Sequence, residues 1–262
     1  MNLSRRSLGS LCATLAVSFA IAGGASQAFA GTITFPTIEI SIGGSSETFT
    51  YSPYASDYRR ATNVDGGYEL TDQKHFDILG NLAHLMIEQV QWDPDPFVLN
   101  NILVTNTTDS TLTFSAFVGL PTTFPAPNFI SGNVSTSVID GGRDGATLAT
   151  VGGQALYGAQ IDGATVATLL NDPFLLIALG LGSNTASASF GPLLNGVPVT
   201  SYIGIQLRFS LTPGDSASFL SRFDVVESVP DVSSSAALVA IALPFVVAMT
   251  ARSRRRKGKP SP

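Results

Sequence analysis

The feature that most constrains the fold of this 262-residue chain is a recurring period-two alternation of apolar and polar residues. Segments rich in Thr, Val, Ile and Phe begin at residues 31–42, recur up to residue 227, and are separated by Gly, Pro, Asn and Asp. Strand side chains alternate between two faces, so this pattern is typical of short strands joined by turns. It predicts an all-β fold, a single β-sandwich or jelly-roll-like domain over residues 31–227.

Three pairs of these segments are separated by short loops of turn-forming residues and are therefore predicted to be hairpins. They are residues 97–106 with 111–120, 134–140 with 146–151, and 201–211 with 216–226. In the last pair, Pro213 and Gly214 suit successive turn positions. A strand over residues 86–92 runs into Asp93-Pro94-Asp95-Pro96, a rigid break expected to end its ladder.

Two segments fit the alternation less well. Residues 72–87 have apolar side chains near helical spacing but are interrupted by Gly80, which leaves a short helix and a pair of strands equally open. Residues 164–181 are almost uncharged, but Asn171-Asp172-Pro173 divides them into pieces too short to cross a bilayer. We therefore expect a buried helix or strand followed by a core strand.

The first 30 residues have the pattern of an export signal. Arg5 and Arg6 precede a moderately apolar region, and Ala28 and Ala30 form a small-residue cleavage site, so the mature chain is expected to begin at Gly31. The twin-arginine pattern is matched only in part, and general export is favoured. Cys12 is the only cysteine and lies in this leader, so disulfides and cysteine-based sites are excluded from the mature chain.

Residues 228–262 combine a short polar motif, an apolar run and a basic end. The run over residues 232–251 is uncharged and long enough for one transmembrane helix, in which Pro244 is tolerable. Clustered basic residues hold such an end in the cytoplasm and leave the preceding body outside. The basic residues of this membrane stop are Arg252, Arg254, Arg255, Arg256 and Lys257.

This order resembles the PEP-CTERM type of sorting signal, with Val229, Pro230 and Asp231 in place of its Val-Pro-Glu-Pro motif. The resemblance covers only the tail and corresponds to a VPD-type variant, since Asp231 and Val232 depart from the commonest motif. It implies an exosortase-like membrane protease as partner and cleavage near the motif. An ordinary C-terminal anchor is the alternative. Either interpretation predicts an exported, membrane-anchored protein, which cleavage would leave at the cell surface or in the extracellular matrix.

The charge of the body excludes one class of partner. Between residues 31 and 231 there are nineteen acidic and six basic residues, a net of −13 that the whole-chain value of −5 hides. Such a body repels phosphate backbones, so nucleic acid is not expected as a partner.

Few residues suggest catalysis or metal binding. His75 and His84 match no zinc spacing, and neither a serine nucleophile elbow nor a phosphate loop is present. Two acidic loops could offer oxygen ligands to calcium, one with Asp93 and Asp95, the other with Asp140 and Asp144. Turn formation explains these aspartates without a metal, so no cofactor is expected.

The best candidate binding residues are tyrosines. Tyr51, Tyr54 and Tyr58 lie close to Arg59 and Arg60, a combination that can stack on sugar rings and donate hydrogen bonds. Packing at the edge of the core is the simpler explanation of these tyrosines. The sequence thus predicts a structural or adhesive, non-enzymatic protein of the cell envelope or extracellular matrix. A polysaccharide-binding module is the first alternative, and a secreted glycan hydrolase is the second.

Overall fold

The computed structural model describes residues 35–43, 45–62, 67–93 and 96–228. Within these ranges, sixteen strands form two antiparallel sheets of eight strands each, and Ala55–Asp57 forms one short 3-10 turn. The predicted all-β class and sandwich are confirmed.

Sheet A joins strands from both halves of the chain, in the order β12-β11-β15-β8-β1-β2, and β10 and β13 extend it beside one end of β15. Its strands are β1 (Thr37–Ile42), β2 (Thr48–Tyr51), β8 (Leu112–Pro121), β10 (Ala146–Ala149), β11 (Tyr157–Ile161), β12 (Ala164–Leu169), β13 (Leu175–Ala178) and β15 (Tyr202–Leu211).

Sheet B has the order β14-β9-β16-β7-β6-β4-β3, and β5 pairs with the first half of β6. Its strands are β3 (Tyr58–Arg60), β4 (Tyr68–Leu70), β5 (Lys74–Ile78), β6 (Ala83–Asp93), β7 (Phe97–Asn106), β9 (Asn128–Ile139), β14 (Ser183–Asn195) and β16 (Ser216–Glu227).

One apolar core lies between the sheets, because alternate residues of the long strands are buried. Phe209 of sheet A and Phe219 of sheet B meet with ring centroids 4.5 Å apart, and Phe114 stacks on Phe209 at 5.2 Å. Trp92 is fully buried at the other end of the core, where its ring stacks on that of Tyr68. The polar side chains of the same strands are thereby left on the two outer faces.

The three predicted hairpins are wrong in their pairing. In each pair the first and second strands belong to opposite sheets: β7 and β8, β9 and β10, and β15 and β16. Each loop is therefore an arch across the sandwich. Asn106 holds two of the arches together, since its buried amide donates hydrogen bonds to the carbonyl oxygens of Ser110, Leu211 and Thr212.

The expected break after residue 92 is present to within one residue, since β6 ends at Asp93. β6 and β7 are paired neighbours, and their ladder closes at the pair Asp93 and Phe97. The three residues 94–96 connect these two strands of one sheet, so the break leads into a neighbouring strand of the same ladder.

The two ambiguous segments are both strands. Residues 72–87 contain β5 and the start of β6, joined by a turn in which Leu79, Gly80 and Asn81 all have positive φ. Residues 164–181 contain β12 and β13, but β13 is not a core strand throughout, since Leu175 and Ile177 are exposed. These two residues alternate with the buried Leu176 and Ala178, so their side chains lie on the outer face of sheet A.

Within the described residues, no helix is long and apolar enough to span a membrane. The predicted leader with Ala28 and Ala30, the sorting motif from Val229 to Asp231, and the helix and basic end over residues 232–262 lie outside the described residues.

Candidate ligand-binding groove

The outer face of sheet A carries two adjoining basins. The first, of about 440 Å³, lies over β11, β12 and β15, and the second, of about 320 Å³, lies over β8, β1 and β2. Gln160 and Gln206 line both basins, so the two form one groove across the strands, called here the outer groove.

The register of sheet A places one row of residues directly along this groove. Successive pairs link Thr168, Gly158, Gln206, Phe117, Glu39 and Thr50, one from each of six adjacent strands. Neighbouring strands are about 4.8 Å apart, so the row extends for about 24 Å. A ligand lying along it would cross the strands.

Phe117 is the aromatic residue at the centre of this row, and its ring lies flat on the sheet. A Cβ atom added to Gly119 or Gly204 would lie 2.5 Å from a ring carbon of Phe117, so the ring covers both glycines. These glycines are direct cross-strand partners. Tyr202 meets the ring edge-on, with centroids 5.7 Å apart and planes at 80°. The ring is half-buried and lines the second basin, so it is a fixed aromatic platform at the floor of the groove.

Polar side chains flank the platform on both sides. Gln206 is held by its amide nitrogen, which donates to the hydroxyl of Ser115 and the carbonyl oxygen of Ala116, each at 3.0 Å. Glu39 lies on the other side and is exposed. Arg208 lies farther along β15 in the first basin, where its guanidinium bonds to the amide oxygen of Gln154. The groove thus combines planar hydrogen-bonding groups with an apolar stacking surface.

Asp162 fixes one rim of the groove. It follows Ile161 in a two-residue Asp-Gly hairpin loop between β11 and β12, where both residues have positive φ. Its carboxylate accepts five hydrogen bonds from backbone and hydroxyl groups of residues 200–202. Burial by itself would raise the pKa of Asp162, but these hydrogen bonds outweigh it and hold the pKa well below its usual range.

The three predicted tyrosines lie away from this groove and do not share one environment. Tyr58 packs among Phe35, Tyr68 and Trp92, with ring centroids 4.7 to 5.6 Å away. Tyr51 packs on Phe76.

Their exposure separates them further. Burial, followed by the nearby Asp57 carboxylate, raises the pKa of Tyr51 to about 12. Only Tyr54 is well exposed, at 76%. Packing at the core edge therefore describes Tyr51 and Tyr58.

The second predicted calcium loop does bring carboxylates together. Asp140 and Asp144 lie with Asp215 such that one oxygen of each is within 4.8 Å of the others. However, the Asp140 carboxylate already accepts four backbone N–H groups, from Gly142, Arg143, Gly145 and Leu181.

Asp215 is also engaged, since it accepts from Gly141 and Thr212. Burial would raise the pKa of Asp140, and its four N–H donors lower it below the usual range. These hydrogen bonds hold the backbone of the loop between β9 and β10 in place. Of the first predicted pair, Asp93 is buried, and Asp95 lies outside the described residues.

Two features of the sequence indicate the groove, although neither entered the predictions above. The outward-facing positions of β8 include Thr113, Ser115, Phe117 and Gly119. Phe117 is the one aromatic residue among them. An aromatic residue on the polar parity of a strand, with glycine two positions later, indicates a ring lying on an exposed sheet face. The Asp162-Gly163 pair was likewise a strong hairpin signal.

No family model matches the chain, and no curated protein matches it. Among solved structures, it is similar to TmCBM61, which was solved in complex with beta-1,4-galactotriose. The similarity has a TM-score of 0.25 and 12% sequence identity, and it covers 50% of this chain and 82% of that chain. At that TM-score the similarity carries no argument about this protein.

Proposed function

We propose that the described domain is a carbohydrate-binding module that holds a neutral polysaccharide along the outer groove. The observation that carries this proposal is the Phe117 ring, which lies flat over Gly119 and Gly204 in the floor of an open polar groove. The apolar C–H face of a sugar ring stacks on such a surface, while its hydroxyls bond to neighbouring polar groups. Glu39 and Gln206 are placed on either side for those bonds.

Charge favours a neutral glycan. The outer groove is lined by two carboxylates, Glu39 and Asp172, and one cation, Arg208, among uncharged polar groups. The body as a whole, with nineteen acidic and six basic residues over 31–231, repels polyanions. Neutral sugars avoid that repulsion and use the hydrogen-bonding groups.

Binding fits the groove better than hydrolysis does. A glycosidase needs two carboxyl groups flanking one bond, separated by at most about 9.5 Å. Among the described residues, each basin has a single carboxylate, Asp172 in the first and Glu39 in the second. A binding module carried outside the cell by the predicted leader and tail would act in adhesion or matrix attachment, which joins the two leading interpretations of the sequence.

Affinity electrophoresis of the purified protein through gels containing soluble neutral polysaccharides tests this proposal, with alginate as the polyanionic control. Phe117→Ala removes the platform and should weaken the affinity for the retarding polysaccharide about tenfold, equivalent to ~1.4 kcal/mol. Leu220→Ala, on the outer face of sheet B, is the matched control and should leave retardation unchanged.

Tyr54→Ala separates the groove from the exposed tyrosine predicted by the sequence. If Tyr54→Ala abolishes retardation and Phe117→Ala does not, the site lies at the tyrosines instead. Absence of retardation by every neutral polysaccharide would contradict the proposed function altogether.

A further inference from the structure

Among the described residues, β14 is the outermost strand of sheet B, and its edge that faces away from β9 pairs with no other strand. The carbonyl oxygen of Gly182 accepts a hydrogen bond from Asp140 of the neighbouring chain segment, whereas the N–H of Thr185 donates to the side chain of Asn184. Backbone groups alternate in direction along an antiparallel strand, so Thr185, Ser187 and Ser189 point their N–H groups away from β9.

Over residues 183–190 this edge lacks the features that normally prevent strand pairing, since the bulge and Pro192 come after residue 190. β14 has thirteen residues, and none of them is charged. The opposite side of sheet B ends in short strands with charged side chains: Arg59 and Arg60 in β3, and Lys74 and Asp77 in β5. Short length and charge are the usual protection of an edge strand, and β14 has neither.

Exposed aliphatic side chains flank the edge at both ends. Leu179 and Leu181 precede β14 and are 75% and 49% exposed, and Leu193 and Leu194 near its end are 48% and 68% exposed. A twofold axis across the strand brings the start of one copy beside the end of the other. The same operation that pairs the edges therefore covers the leucines of each copy with those of its partner.

The charge of the body selects the surface on which two copies can meet. With nineteen acidic and six basic residues over 31–231, copies of this chain repel each other on most approaches. β14 and the neighbouring edge strand of sheet A, β12, contain no charged residue between them. These two strands therefore add no like charge that would oppose the pairing of two copies.

We propose that β14 pairs antiparallel with β14 of a second copy of this chain, which joins two B sheets into one continuous sheet. A bulge between Phe190 and Leu193 interrupts the strand, so the paired segment is residues 183–190. The outer grooves lie on the A sheets and stay open in such a pair.

Cysteine cross-linking of the full-length chain tests this pairing. In a Cys12→Ser background, Thr185→Cys, Ser187→Cys and Ser189→Cys are introduced one at a time. Facing residues of antiparallel strands have Cα atoms about 4.5–5.5 Å apart, within the range of a disulfide, so the position nearest the twofold axis should give a covalent dimer on non-reducing gels. Ser135→Cys, which lies opposite Ser187 on β9 and one strand inward, is the control and should not cross-link.

A second substitution shows whether the edge itself is responsible. Ser187→Pro removes an outward N–H without removing a hydrogen bond to β9, and it should lower the cross-linked fraction of the Thr185→Cys or Ser189→Cys variant about tenfold. Ser187→Lys is the alternative where the proline variant does not fold, since it adds a like charge to both copies. The proposal is overturned if none of the three edge cysteines gives a dimer, if Ser135→Cys cross-links equally, or if dimers survive a folded Ser187 variant.

Discussion

The outer faces of the two sheets have the same backbone pattern but different side chains. On sheet A, outward positions in the centre are occupied by Gly158, Gly204 and Gly119, with Phe117 laid across two of them. On sheet B, one outward row contains Ser187, Ser135, Leu220 and Asn101 in four neighbouring strands. Missing side chains give depth to sheet A, whereas every residue of this row on sheet B has a side chain. The comparison shows that glycines on an exposed sheet face leave room for a groove.

The largest expected effect comes from the core shared by both faces. Phe219→Ala removes a fully buried ring that contacts Phe209 of the other sheet, and it should lower the free energy of unfolding by about 3–5 kcal/mol. Urea denaturation measures this loss. Leu220→Ala, at the next position on the outer face, should change it by no more than about 0.5 kcal/mol. Equal losses for the two variants would show that the assignment of inner and outer faces is wrong.

A smaller effect, confined to the grooved face, is expected from Gly204→Ala. The new methyl group would lie 2.5 Å from the Phe117 ring, which must lift off the sheet and lose its fixed orientation. Polysaccharide affinity should fall severalfold, as measured by isothermal titration with the polysaccharide that retards the protein.

Gly158→Ala is the matched control for this substitution, since its methyl group would meet only ordinary contacts at 3.6 Å or more. Unchanged affinity in Gly204→Ala would mean that the flat orientation of the ring is not required.

The smallest effect on stability at neutral pH should come from substitution of Asp162, at the rim of the outer groove. The pKa of Asp162 is lowered in the folded state, so the unfolded chain takes up a proton at this site first as the pH falls. Its stabilisation is therefore present above about pH 4 and is lost as the pH falls through the folded pKa.

Hydrogen exchange at acidic pH can follow this loss. The amides of Thr200, Ser201 and Tyr202 donate to Asp162, so in the unsubstituted protein they should lose protection at acidic pH. In the Asp162→Asn variant, this protection should be missing already at pH 7. Amides in the β9–β16 ladder of sheet B are the internal control and should not change with this substitution. Equal exchange at residues 200–202 in both proteins would contradict the proposed role of Asp162.

Strand positions could be predicted well from the sequence. The segment 97–106 matches β7, and 201–211 and 216–226 differ from β15 and β16 by one residue at an end. Alternation is a local property of the chain, and burial of one face enforces it. Pairing could not be predicted in the same way, because a short loop can return along the same ladder or cross about 10 Å to the facing sheet. Asn106, which ties two arches together, is visible as an organiser only in the folded chain.

The candidate site was less accessible to prediction. Tyr58 and Phe117 are both aromatic residues in strands, but Tyr58 packs against Trp92 and Phe117 lies on an open face. Phe117 occupies an outward-facing position in the alternation of β8, and this position indicates an exposed ring. Its two glycines come from different strands that are more than eighty residues apart in sequence, so their contact with the ring depends on the register between β8 and β15.

The sequence by itself determined the strand content, the absence of an intrachain disulfide and the acidic charge of the body, because these depend on residue type and local periodicity. Only the tertiary structure decided which strands share a sheet, which face carries a groove and which edge is left without charge. Those features arise from contacts between distant segments. Many strand pairings satisfy the same alternation, and the native pairing is favoured because it buries the apolar faces in one core.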